Sequence, residues 1–335
     1  MQVITGTEKK VMAALTMYPE LSGKELAELV GISQSSFLRS RKRLMEFGLI
    51  RHCRVPSFGK IGRGIIFSGF GVVKENTEKE APGIKDIFFL ASEKEKGFGI
   101  GTSRRYSDFY GLLADFRDTY SMSDVESFGF QAFPTEMTEF WRFMDAGPLM
   151  ASELAPDIEA RKNPNTAMKG EKYDFGRGEW EVYSAIIAHP EWEASVLADK
   201  LRVSRQKIYR LDARFREEGL YTEKIIPNFK ALGYELIVFA SWKMPAGNHS
   251  RIMNIISGSR MPWPILMLTT CLEGIMVAVF RNFRESRDIT EKMAEMGKRM
   301  NFEEYRPNIM FMSLPDTRYP VNFDFSGMLG DVYID

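Results

Sequence analysis

Slid along itself without gaps, this chain matches at an offset of 171 residues: Glu8 falls on Glu179, Val11 on Val182, Ala14 on Ala185, Pro19 on Pro190, Glu20 on Glu191, Leu26 on Leu197, Ala27 on Ala198 and Ser33 on Ser204. The register continues through Arg39 and Arg210, Arg43 and Arg214, Glu46 and Glu217, Gly48 and Gly219, Leu49 and Leu220, Pro56 and Pro227, Phe58 and Phe229, and Gly62 and Gly233. A period this long indicates that one supersecondary unit is used twice, so whatever fold is assigned to one half must serve the other. The chain reads as a tandem duplication.

At 335 residues there is room for two or three domains. A hydrophobic content of 44% with 27% charged residues excludes general disorder, a collagen repeat and a coiled-coil rod. Cys53 and Cys271 are too few for a disulfide framework and stand in no metal-ligand spacing, so a cytoplasmic protein without metal or cofactor is expected. The apolar run 265–280 is broken by polar residues and is shorter than the roughly 18 to 20 needed to span a bilayer. Residues 1–10 hold no apolar signal core, and no membrane partner is expected. With 45 Lys+Arg against 45 Asp+Glu, any argument for nucleic acid has to rest on where the charges lie.

Each copy opens in the same way. Apolar residues recur at helical spacing over 8–18 and 179–188, Pro-Glu follows, and a short helix carries Leu26, Ala27 and Val30, or Leu197, Ala198 and Leu201. Ser33 and Ser204 are placed to cap a third helix, and Gly48 and Gly219 stand where a left-handed residue would end it. Residues 48–55 and 219–226 read as wing strands. Three helices and a wing make a winged helix-turn-helix, whose third helix enters the major groove of DNA.

At about 100° per residue, Phe37, Ser40 and Leu44 turn inward on the third helix, as do Ile208, Leu211 and Phe215 on its counterpart. The outward face carries Gln34, Ser35, Arg39, Lys42 and Arg43, or Arg205, Gln206, Tyr209, Arg210 and Arg214. Ser36 and Lys207 flank these faces, and Arg51 and Arg54 lie on the first wing. Such side chains read base edges and grip phosphates, so double-stranded DNA is the expected partner. Residues 33–54 hold six Arg/Lys against one Glu, while residues 204–225 hold six against four Asp/Glu, so the first reader should hold phosphate more strongly.

Beyond Gly62 come a strand at 65–73, a polar stretch with a short helix, a hairpin at 84–92 and 97–103, a helix at 105–119 and a strand at 124–132. The second copy gives a strand at 235–244, a helix at 249–258, a hairpin at 263–270 and 274–281, a helix at 284–300 and a strand at 303–313. Both orders are βαββαβ, the ferredoxin-like unit with helices on one face of an antiparallel sheet. The bare face calls for a partner, which makes the two halves a pseudo-dimer within one chain. The expected fold class is α+β, with winged helix-turn-helix domains at 1–62 and 178–233, ferredoxin-like domains at 63–147 and 234–335, and a polar connector at 148–177. The tail after 314 echoes residues 133–147 and belongs to the repeat.

With SQSSFLRSRKRLMEFGLI (33–50), PSFGKIG (56–62) and PNFKALGY (227–234) in this order, nearly the whole chain, taken twice, resembles the leucine-responsive/asparagine regulator (Lrp/AsnC) family of transcription factors. The resemblance implies DNA binding through the third helices, pairing through RAM-type sheet domains, a small-molecule effector between those domains and further homo-oligomerisation. Arg41 and Asp212 depart from it, standing where the family usually has a β-branched core residue. Siroheme decarboxylases resemble the same architecture, and that resemblance implies a His-rich segment at the hairpin. Here the histidines are His52, His189 and His249, none with a counterpart in the other half, so no catalytic residue is assigned and a regulator is expected in place of an enzyme. A pure interaction protein is the third alternative, supported by Glu217, Glu218 and Glu223 beside the second reader.

Overall fold

The structure, a computed structural model, describes residues 4–73, 84–119, 125–158, 168–243, 264–287, 291 and 307–330. The expected helix at 249–258, most of that at 284–300, the polar stretch 74–83 and His249 lie outside the described residues.

The first helical triad is α1 (Gly6–Met17), α2 (Gly23–Val30) and α3 (Gln34–Glu46). Its starts are set by side chains that satisfy orphan amides. Thr5 and Glu8 form a capping box on α1, with Glu8 N donating to Thr5 Oγ1 at 3.2 Å and Thr5 N to Glu8 Oε2 at 2.8 Å. Ser22 and Glu25 repeat the device on α2, and Ser33 caps α3 by accepting from Ser36 N at 3.2 Å. Past α3, Gly48 takes φ +62°, a conformation open to glycine at little cost.

The remaining elements are β1 (Ile50–Pro56), β2 (Ile65–Val73), β3 (Ile87–Glu93), β4 (Lys96–Ser103), α4 (Tyr106–Thr119), β5 (Val125–Pro134), β6 (Glu139–Arg142) and α5 (Gly147–Leu154). A second triad follows, α6 (Glu179–Ala188), α7 (Ala194–Leu201) and α8 (Arg205–Glu217). Then come β7 (Tyr221–Pro227), β8 (Leu236–Lys243), β9 (Pro264–Thr269), β10 (Glu273–Phe280), β11 (Asn308–Ser313) and β12 (Arg318–Asn322). Ser204 caps α8 through Lys207 N at 3.2 Å, and Gly219 takes φ +60°.

The chain divides into two compact units that interleave its segments. Unit one is Met1–His52, Glu139–Asn165 and Lys224–Asp316; unit two is Cys53–Thr138, Thr166–Glu223 and Thr317–Asp335. Each unit holds one helical triad and one five-stranded antiparallel sheet, and the triad and the main sheet strands come from opposite halves of the sequence.

In unit one the strand order is β11-β8-β10-β9-β6. β8 to β11 have the order expected of a βαββαβ sheet, and the fifth place is filled by β6, which pairs with β9 through Glu139↔Thr269 and Phe140↔Leu268. One face gathers Val238, Ala240, Trp242, Met267, Met276, Ala278 and Phe280, with Trp141 of β6 packed against them. Met267 and Met276 are sheet-face core, their flexible side chains filling irregular gaps.

Unit two mirrors this arrangement. Its order is β12-β3-β4-β2-β5, with the tail strand β12 on β3 through Val321↔Leu90 and Asn322↔Phe89. α4 lies on the sheet, where Phe109 meets Phe67 at 5.6 Å and Phe130 at 6.2 Å between ring centroids.

Two sequence expectations are corrected. β6 and β12, read as ends of their own ferredoxin-like domains, complete the sheet of the other half. The wing strands are found as β1 and β7, which pair with each other as a two-stranded sheet, with Asn228 N donating to Leu49 O in unit one and Ser57 N to Leu220 O in unit two. The polar connector also carries fixed structure. α5 packs on α1 so closely that a Cβ at Gly147 would lie 2.7 Å from Met17 Sδ, and Tyr173 N donates to Lys60 O at 2.8 Å.

Candidate nucleic-acid interface

In both triads the third helix is held by its inner face. Phe37 and Leu44 are buried on α3 with Ser40 half-buried, and Ile208, Leu211 and Phe215 are buried on α8. These are the residues that the helical spacing turns inward. The outward residues Gln34, Ser35, Arg39, Lys42 and Arg43 are exposed on α3, as are Arg205, Gln206, Tyr209 and Arg210 on α8. Arg51 is exposed on β1, while Ser36, Lys207 and Arg214 are half-buried.

The second arginine of each shared pair turns back to its own triad. Arg43 Nε lies 3.2 Å from Glu8 Oε1, and Arg214 pairs with Glu179. Since Glu8 falls on Glu179 and Arg43 on Arg214 in the repeat register, the same brace ties third helix to first in both triads. Burial alone would raise the Glu8 carboxyl; the hydrogen bonds from Thr5 and the charge of Arg43 outweigh it and hold the group below its usual 4.5. Glu179 is lowered chiefly by its hydrogen bond from Arg214. Arg39 and Arg210 are left as the outward arginines of the pairs.

Arg54 is corrected. It is 9% exposed, with Nη1 donating to Ile186 O at 2.9 Å and Nε 3.5 Å from Glu223 Oε1, so it braces unit two and offers no surface to a ligand. Around it, Arg216 pairs with Asp212 at 3.2 Å and with Glu223 at 2.6 Å, and the Tyr221 hydroxyl donates to Asp212. Burial first, and then that bond, push the Tyr221 phenol well above its usual value. Asp212 thus accepts from two donors, Arg216 Nε and the Tyr221 hydroxyl. Alternation along β1 gives no sign of this, because the partners of Arg54 lie on α6 and β7.

Leu38 is a surface residue that apolar periodicity does not flag. It is 47% exposed on the outward face of α3, towards its Gln34 side. Among the histidines, His52 is half-buried on β1 and His189 stacks on Trp192 at 3.6 Å after α6. Among the described residues no group of three or more His, Cys, Asp or Glu could hold a metal ion, and no helix is long and apolar enough to cross a membrane.

Comparison with known proteins divides along the chain. No curated protein matches the sequence. A crystal structure of the siroheme decarboxylase NirDL in complex with an iron–uroporphyrin III analogue is similar over 96% of both chains, with a TM-score of 0.52 at 12% identity. A second crystal structure of the siroheme decarboxylase NirDL gives 0.52 over 97% of both chains, also at 12% identity. AsnC of E. coli aligns with 39% of this chain and 93% of its own, with a TM-score of 0.32 at 13% identity. Residues 4–51 match the family described as winged helix-turn-helix DNA-binding, and the chain as a whole shares the fold of NirDL.

Proposed function

We propose that the chain is a sequence-specific transcriptional regulator of the cytoplasm that binds duplex DNA and performs no chemistry. It is a tandem duplication acting as a single-chain pseudo-dimer with α3 and α8 as two non-identical readers. The observation that carries this reading is the outward face of α3: Gln34, Ser35, Arg39 and Lys42 are exposed on a helix fixed from behind by Phe37 and Leu44, inside a segment matching a DNA-binding family. Arg205, Gln206 and Arg210 present different chemistry on α8, so the site should be asymmetric, with half-sites about one helical turn, roughly 34 Å, apart. Fluorescence anisotropy on selected duplexes tests the reading: Arg39→Ala and Arg210→Ala should each weaken binding, and unchanged affinity in both would reject the two helices as readers.

A second reading, a tetrapyrrole-acting enzyme, is favoured by the full-length similarity to NirDL. Titration of the protein with an iron–uroporphyrin, followed by absorbance, separates the two. A saturable Soret shift without DNA binding would replace the regulator.

A further inference from the structure

The outward arc of α3 is not purely polar. Leu38 is 47% exposed, one turn after Gln34 and one turn before Lys42. With Gln34 at zero and about 100° per residue, Leu38 falls at about 40°, Lys42 at 80°, Ser35 at 100° and Arg39 at 140°. The buried Phe37 and Leu44 fall at about 300° and 280° on the same scale, so Leu38 lies inside the arc that seeks bases and phosphates. Its inner edge faces Gly23 of α2, where an added Cβ would stand 3.4 Å from Leu38 Cδ2. A lone exposed leucine elsewhere on a surface needs no explanation. This one recurs in kind: the fifth residue of α8, as Leu38 is the fifth of α3, is Tyr209 at 64% exposure.

We propose that Leu38 is a specificity-determining residue that packs on the C5-methyl group of a thymine in the major groove, beside the bases addressed by Gln34 and Arg39. The methyl is the one apolar feature on a base-pair edge in that groove, and an aliphatic side chain amid donors is its complement. The phenol ring of Tyr209 presents a different surface at the corresponding place of the second half-site, which adds to the asymmetry of the operator. This inference rests on the DNA-reading function proposed above.

The test uses the full chain and a selected duplex in which each thymine is replaced, one at a time, by deoxyuridine, removing only the methyl. At one position of the α3 half-site, binding should fall about fourfold, the worth of one buried methyl. Leu38→Ala should abolish that penalty while leaving the melting temperature unchanged, because the side chain is exposed. Arg39→Ala should bind more weakly yet keep the penalty. Specific binding that is indifferent to every uracil, or a penalty that survives in Leu38→Ala, overturns the assignment of Leu38 alone. No specific DNA binding by the unmodified chain overturns the regulator reading and this one with it.

Discussion

Arg43 and Glu8, 35 positions apart in sequence, join α3 to α1 with Nε 3.2 Å from Oε1, and Arg214 and Glu179 join α8 to α6. A basic residue on the third helix of a triad can therefore serve the fold, and that role can be tested by substitution. Glu8 also closes the α1 capping box, so Glu8→Ala should cost about 1 to 2 kcal/mol. Arg43→Ala, at a half-exposed site, should cost less than about 1 kcal/mol. Urea denaturation followed by circular dichroism checks the order, and an equal or reversed cost would mean that the brace outweighs the cap.

Acid should loosen both triads. Glu8 and Glu179 are held below the usual 4.5, so the stability they contribute is fully present above that pH and is lost as pH falls through their lower folded values. The double variant Glu8→Gln/Glu179→Gln should be less stable than the parent at pH 7, with the difference shrinking towards pH 3. A difference that holds constant across that range would show that charge is not what these groups contribute.

Arg54 should behave as a structural residue. Removing a buried, ion-paired arginine takes one cation from Glu223 and a donor from the Ile186 carbonyl, at a cost of about 3 kcal/mol. Arg54→Ala should therefore lower stability while leaving the affinity of the remaining folded protein for DNA unchanged. Normal stability with weakened DNA binding would return Arg54 to the interface.

Gly147, at the start of α5, should not tolerate a side chain. An added Cβ would meet Met17 Sδ at 2.7 Å and Thr16 O at 2.9 Å, and the backbone oxygen cannot swing away. Gly147→Val should cost about 1 to 3 kcal/mol by forcing α1 and α5 apart. Amide exchange should then rise in α1 and β6 before it rises in α4.

What could be read in the sequence was what neighbouring residues decide. The caps Ser33 and Ser204, the left-handed Gly48 and Gly219 and the inward Phe37, Leu44, Ile208 and Phe215 all follow from spacing within one helix. What could not be read was set by distant pairing. β6 is four residues long, and its partner β9 begins more than a hundred residues later, so EFWR by itself carries no instruction to leave its own half. Arg54 looks like any wing arginine until Glu223 and Ile186 are brought to it.

Selection of bound fragments from random duplex DNA with the full chain, with an absorbance spectrum of the same preparation, bears most directly on whether α3 and α8 read DNA. An enriched bipartite site with unlike halves centred about one helical turn apart is the expected result. Recovery of fragments indistinguishable from the input pool, from a protein carrying a tetrapyrrole band, would contradict it.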